Sequence, residues 1–151
     1  MRGTLVCGVD DSGEGRRALE LAAELSDRLD LRLVLAHVGS GIDPIAADGD
    51  GAESVSMRSA REGAARLLAR LAVEHGVADR AERRAATGDA ATAIGRIAAE
   101  EAADLIVVGS RFRGRLRRGF ESRLAAQLGS ETPVPVLIAP PPQGRTARMA
   151  A

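Results

Sequence analysis

Asp10, Asp11 and Ser12 close the first apolar run of the chain and lead into Gly13. Carboxylates at the end of a buried strand can accept hydrogen bonds from a ligand hydroxyl or amine, and they serve equally well to cap the helix that follows. Residues 109–114 join a second apolar run to a helix start, where unpaired N–H groups and the helix dipole favour an anion. Arg111, Arg113, Arg115, Arg117, Arg118 and Arg123 surround that stretch, opposed there only by Glu121. A positive mouth of this kind suits a phosphate-bearing ligand. The same arginines would also make an ordinary solvated helix face. Residues 37–41, which open on His37, form the third segment at a strand end.

Several chemistries are excluded by what is missing. His37 and His75 are the only histidines and fall in separate elements, so neither a histidine-based metal cluster nor a Ser–His–Asp triad has enough parts. The chain has no lysine, which removes the Walker-type phosphate loop and the receiver domain with its active-site lysine. No G-x-G-x-x-G follows the first strand, so a dinucleotide fingerprint is lacking. Charges balance at 21 acidic and 21 basic residues, leaving no overall field for nucleic acid or an anionic membrane. Cys7 stands alone inside an apolar run, as expected of a core residue in a reducing cytoplasm. The run over residues 4–9 is too short for a signal segment or a membrane span.

These segments need a scaffold, and the chain alternates strand and helix patterns that supply one. With 151 residues, 45% hydrophobic and 28% charged, it has the size and composition of one globular α/β domain, expected over residues 1–139 with a flexible tail over 140–151. Leu5, Val6, Cys7 and Val9 read as a strand buried on both faces. Ala18, Leu21, Ala22, Leu25 and Leu29 keep helical spacing, with Asp11 or Ser12 as cap. A strand over 31–38 follows with almost no linker, as a parallel βαβ crossover requires. Residues 39–54 have loop composition and are expected to be mobile.

Ala60, Ala64, Leu67, Leu68 and Leu71 predict a second helix stopped by Gly76. A third strand is placed over 80–86 because the βαβ pattern needs one there. Asp89 caps a third helix with Ala93, Ile94, Ile97 and Ala98 on its apolar face, and a fourth strand covers 105–108. Leu116, Phe120, Leu124 and Leu128 predict a last helix up to Gly129. The fifth strand spans 134–139, and Pro135 within it argues for a sheet edge. In an open parallel sheet the ligand crevice lies beyond the C-terminal strand ends, where strand order reverses.

VCGVDDSGEGRRALELAAEL, ATGDAATAIGRIAAEEAADLIVVGSR and PVPVLIAP occur in this order over nearly the whole chain, which resembles the universal stress protein family. The resemblance implies an open five-stranded parallel sheet of order 3-2-1-4-5 with helices on both faces, a Rossmann-like three-layer sandwich. It implies a homodimer through strand five, with Val134, Val136 and Ile138 at the interface. It also implies ATP or AMP bound between strands one and four. Asp10 would keep the family's nucleoside carboxylate, Val38 its adenine-contacting backbone, Val108 the strand-four contact and Gly109 the first phosphate glycine. The remaining motif positions are Phe112, Ser122 and Arg123, where the family has glycine, glycine and serine or threonine. Phe112 adds a ring where backbone N–H groups would approach a phosphate, and Arg123 lacks the hydroxyl. Two expectations follow from these departures. One is a non-enzymatic stress-response or regulatory protein with a degenerate nucleotide site, acting on a protein partner. The other is an ATP or AMP sensor in which Asp10 reads the nucleoside and Arg111 or Arg123 holds phosphate.

Overall fold

The structure is a computed structural model and describes residues 2–39, 55–110 and 121–141. In chain order the elements are β1 (Thr4–Gly8), α1 (Gly13–Arg28), β2 (Arg32–Gly39), α2 (Val55–Glu74), β3 (Glu82–Thr87), α3 (Ala90–Glu100), β4 (Leu105–Gly109), α4 (Glu121–Glu131) and β5 (Val136–Ala139). They build a five-stranded, all-parallel sheet of order β3-β2-β1-β4-β5. β1 is central, with Val6 level with Val34 of β2 on one side and Ile106 of β4 on the other.

The period-two pleat explains why the β1 run is continuously apolar. Leu5, Cys7 and Val9 point into a core shared with α1 and α2, whereas Val6 points into a second core shared with α3 and α4. Leu33 and Leu35 join the first core, Val34 and Ala36 the second. Cys7 is fully buried, and that burial raises its thiol pKa, so it behaves as a small core hydrophobe. Among the described residues no helix is long and apolar enough to cross a membrane.

Three helices end alike. After α1, α2 and α3 a residue turns to positive φ: Asp30 at 52°, Gly76 at 66° and Ala102 at 49°. The next N–H reaches back to the last turn, Leu31 to Ser26, Val77 to Ala72 and Ala103 to Ala98. This Schellman closure satisfies end carbonyls and aims the chain into the following segment within a few residues. Starts are capped by Ser12 Oγ on the Gly15 N–H (3.0 Å) and by Asp89 on the Thr92 N–H (3.0 Å).

Several boundaries differ from the sequence reading. β3 starts at Glu82 because the Arg80 and Ala81 N–H groups are still bonded to the Val77 carbonyl. β5 starts at Val136 because Val134 turns its N–H back to Thr132 Oγ1 and Pro135 has none, although the Pro135 carbonyl already accepts from Ile106. Gly129 does not stop α4, which runs on to Glu131 and ends before Thr132-Pro133, where proline forbids another turn. Leu29 lies off the buried face of α1 at 58% exposure, while Leu19, not counted on that face, is fully buried. β2 is shifted one residue later than 31–38, and β4 extends to Gly109. Of the expected loop, Gly39 closes β2, and residues 40–54 lie outside the described residues, as do Leu116, Phe120 and the tail from residue 142.

Candidate functional site

β1 stands between β2 and β4, so its C-terminal end is where strand order reverses. A cleft of about 490 Å³, counting its open mouth, lies there, with Asp10, Glu14, His37, Val38, Val108 and Gly109 on its walls. Two glycines let its parts close up. A Cβ on Gly15 would lie 2.2 Å from Asp10 Oδ1 and 2.5 Å from the Asp10 carbonyl, so only glycine lets α1 start this tightly against the β1 exit. A Cβ on Gly109 would meet the Glu14 carbonyl at 2.5 Å, so the β4 exit abuts the first turn of α1. Below them Ile94 of α3 comes over Gly8, with its Cδ1 2.9 Å from where a Cβ would stand, and makes an apolar floor.

Asp10 organises the β1 exit. Its carboxylate accepts the Ser12 N–H at 3.0 Å and the Ser12 hydroxyl, while Ser12 Oγ accepts the Gly15 N–H. The carboxylate therefore lies against the first turn of α1 and answers its dipole. Asp11 turns outward to Arg16 of α1 (2.6 Å) and Arg70 of α2 (2.8 Å), whose guanidinium groups hold its carboxyl below the ordinary range. Arg16 also reaches Glu74 at 2.6 Å, so the β1–α1 turn is tied to α2 from outside.

His37 Nδ1 stands 2.6 Å from the Val9 carbonyl. A carbonyl only accepts, so Nδ1 carries the proton and Nε2 is the acceptor of the neutral ring. With Ser12 committed to Asp10 and Gly15, and His37 to a main-chain carbonyl, Ser12 and His37 are not hydrogen-bonded to each other. Ser110, next after Gly109, has a buried Oγ without a hydrogen-bond partner among the described residues.

Of the residues singled out in the sequence, Asp10, Val38, Val108 and Gly109 come together on this one cleft. Phe112 and Arg111 lie outside the described residues. Ser122 and Arg123 fall in the first turn of α4, and their side chains lie outside the described set. Val134 and Val136 are half-buried against the second core, whereas Ile138 is 45% exposed on β5. Sequence reasoning missed Glu14, Ile94 and Leu124 as cleft residues. The spacing of Ile94 and Leu124 marked them as helix-face residues; which helix overhangs the β1–β4 gap follows only from the layering.

The model of the universal stress protein family matches residues 1–140. No curated protein matches the chain. Among solved structures, the universal stress protein UspA from Lactobacillus plantarum is similar with a TM-score of 0.69 at 17% identity, covering 92% of this chain and 99% of that one. A universal stress protein solved in complex with cAMP gives 0.59 at 24% identity, covering 93% and 98%. One from Archaeoglobus fulgidus solved with dAMP gives 0.57 at 20% identity, covering 90% and 96%. At these identities the solved structures establish the shared fold, and the family match over nearly the full length establishes kinship: the chain belongs to the universal stress protein family.

Proposed function

We propose that this chain is a non-enzymatic regulatory protein of the stress response, cytoplasmic and dimeric. Its cleft would take the nucleoside part of an adenine nucleotide without the family's glycine cradle for the phosphates. The observation that carries this reading is the meeting of Asp10, Val38 and Gly109 on one cleft at the strand-order reversal. The rest of the glycine motif is replaced by Phe112, Ser122 and Arg123. Asp10 offers a carboxylate to a ribose hydroxyl or base amine, and the Gly8–Ile94–Val108 floor offers apolar surface to a ring. Fold neighbours solved with cAMP and dAMP support a monophosphate ligand class.

The replaced motif positions favour a second reading, in which the fold acts through protein contacts alone with no nucleotide. Thermal unfolding separates the two. Ligand at about a hundredfold above Kd stabilises by about 2.7 kcal/mol, which raises Tm by about 5 °C for a domain of this size. AMP and cAMP are expected to give such a shift in the wild type and none in Asp10→Ala. Absence of a shift with either nucleotide in the wild type would leave protein contacts as the function.

A further inference from the structure

Where the cleft opens, the ladder between β1 and β2 breaks off although both chains continue. The Val9 N–H donates to the Ala36 carbonyl at 2.9 Å, so the main-chain groups of Ala36 face β1. Those of Val38, two residues on, face the same way. The next rungs of a parallel ladder would run from the Val38 N–H to the Val9 carbonyl and from the Asp11 N–H to the Val38 carbonyl. Among the described residues neither bond is made, and the β1–β2 register ends with Gly8 opposite Ala36. The Val9 carbonyl is held instead by the His37 side chain, with Nδ1 at 2.6 Å. His37 shares a face of β2 with Leu35, which belongs to the core under α1 and α2, so this bond takes the Val9 carbonyl toward that face and out of line with Val38. Val38 packs its side chain against the opposite core and lines the cleft.

We infer that His37 is a positioning residue: by occupying the Val9 carbonyl it withholds that acceptor from Val38 and leaves the Val38 N–H and carbonyl side by side for the edge of a ligand ring. This rests on the nucleoside-binding reading above. Main-chain groups left out of a ladder in a half-buried place cost stability until something pairs them. A ring edge with an acceptor beside an amine pairs both, as a further rung of the sheet would. Without the imidazole donor, the Val9 carbonyl is the acceptor in register for the Val38 N–H, and the ladder closes across the ligand's place. The role needs one donor at the Nδ1 position. Asparagine puts its Nδ2 there, whereas leucine fills similar space and donates nothing.

The test is amide hydrogen exchange of the isotope-labelled protein without ligand, together with isothermal titration of AMP, for wild type, His37→Leu and His37→Asn. Unfolding midpoints verify that each is folded. In the wild type the Val38 amide is expected to exchange at least about a hundredfold faster than that of Ala36, which lies inside the ladder. His37→Leu is expected to slow Val38 exchange by about tenfold and to weaken AMP by about tenfold, the worth of roughly one hydrogen bond. His37→Asn is expected to keep both near wild type, a rescue that a purely space-filling role does not give. A wild-type Val38 amide as protected as that of Ala36 overturns the inference, even where the leucine variant fails to fold. So does a folded His37→Leu that leaves either exchange or affinity unchanged, or a His37→Asn that behaves as His37→Leu. Exchange is read without ligand, so a wild type that exchanges as expected but does not bind AMP overturns the nucleoside reading and leaves His37 as the residue that ends the ladder.

Discussion

At the β1 exit, the side chain that would recognise a ligand is held by a residue that has no side chain. Asp10 keeps its carboxylate against α1 because Gly15 leaves room for it, and Ser12 completes the turn by hydrogen-bonding both. Gly15→Ala places a methyl group 2.2 Å from Asp10 Oδ1 and 2.5 Å from its carbonyl. Main chain must shift to relieve that overlap, at a cost of about 1–3 kcal/mol. Urea unfolding is expected to show that loss, and thermal unfolding of the same variant is expected to show no response to AMP. Undiminished stability would mean that the first turn of α1 is not packed as described. A glycine that holds a carboxylate in place leaves no mark in a single sequence, where Gly15 reads as one more small residue of a helix start.

The elements were legible wherever a special backbone conformation coincided with the residue type that favours it. Gly76 announced the end of α2 because glycine is the usual occupant of a positive-φ stop. Asp30 and Ala102 do the same work after α1 and α3 without announcing it, since neither residue type is diagnostic of that conformation. Alanine at φ 49° carries a steric cost of about 1–2 kcal/mol from its Cβ. Ala102→Gly is therefore expected to raise the unfolding free energy by up to about 1 kcal/mol, read as a higher urea midpoint at unchanged slope. A fall in midpoint would contradict the closure assigned to α3. β3 was faint for a related reason: it is an edge strand with Glu82, Arg83 and Arg84 in its first half, and its place followed from the alternation of elements more than from its own pattern.

Across the whole molecule, the two sheet edges are treated differently. β3 exposes Glu82 and Arg83, while Arg32 reaches Glu82 and Glu101, and Arg84 reaches Glu100 and Glu101. Charge along an edge discourages pairing with another chain. Among the described residues β5 pairs only with β4 and leaves Leu137 and Ile138 at 38% and 45% exposure, so it is the edge better suited to a second copy. Ile138→Asp is expected to convert a dimer into a monomer in sedimentation at micromolar concentration, with the monomer still folded. A wild type that is monomeric there, or a variant that stays dimeric, would contradict the assignment to β5.

The same scale shows why the cleft was only half legible. Strand ends marked the segments that hold Asp10, Val38 and Gly109, whereas the strand order that brings these residues together with Val108 came from the family resemblance. Glu14 and Ile94 enter from helices on opposite faces of the sheet, and their meeting depends on close approaches that glycine permits at Gly8, Gly15 and Gly109. The most direct measurement is the change in backbone amide resonances of the isotope-labelled protein on titration with AMP. Saturable shifts concentrated at Asp10, Val38 and Gly109, and lost in Asp10→Ala, are the predicted result. Shifts that are absent, or that centre on the β3 edge or the outer face of α2, would contradict a nucleoside site at the β1–β4 reversal.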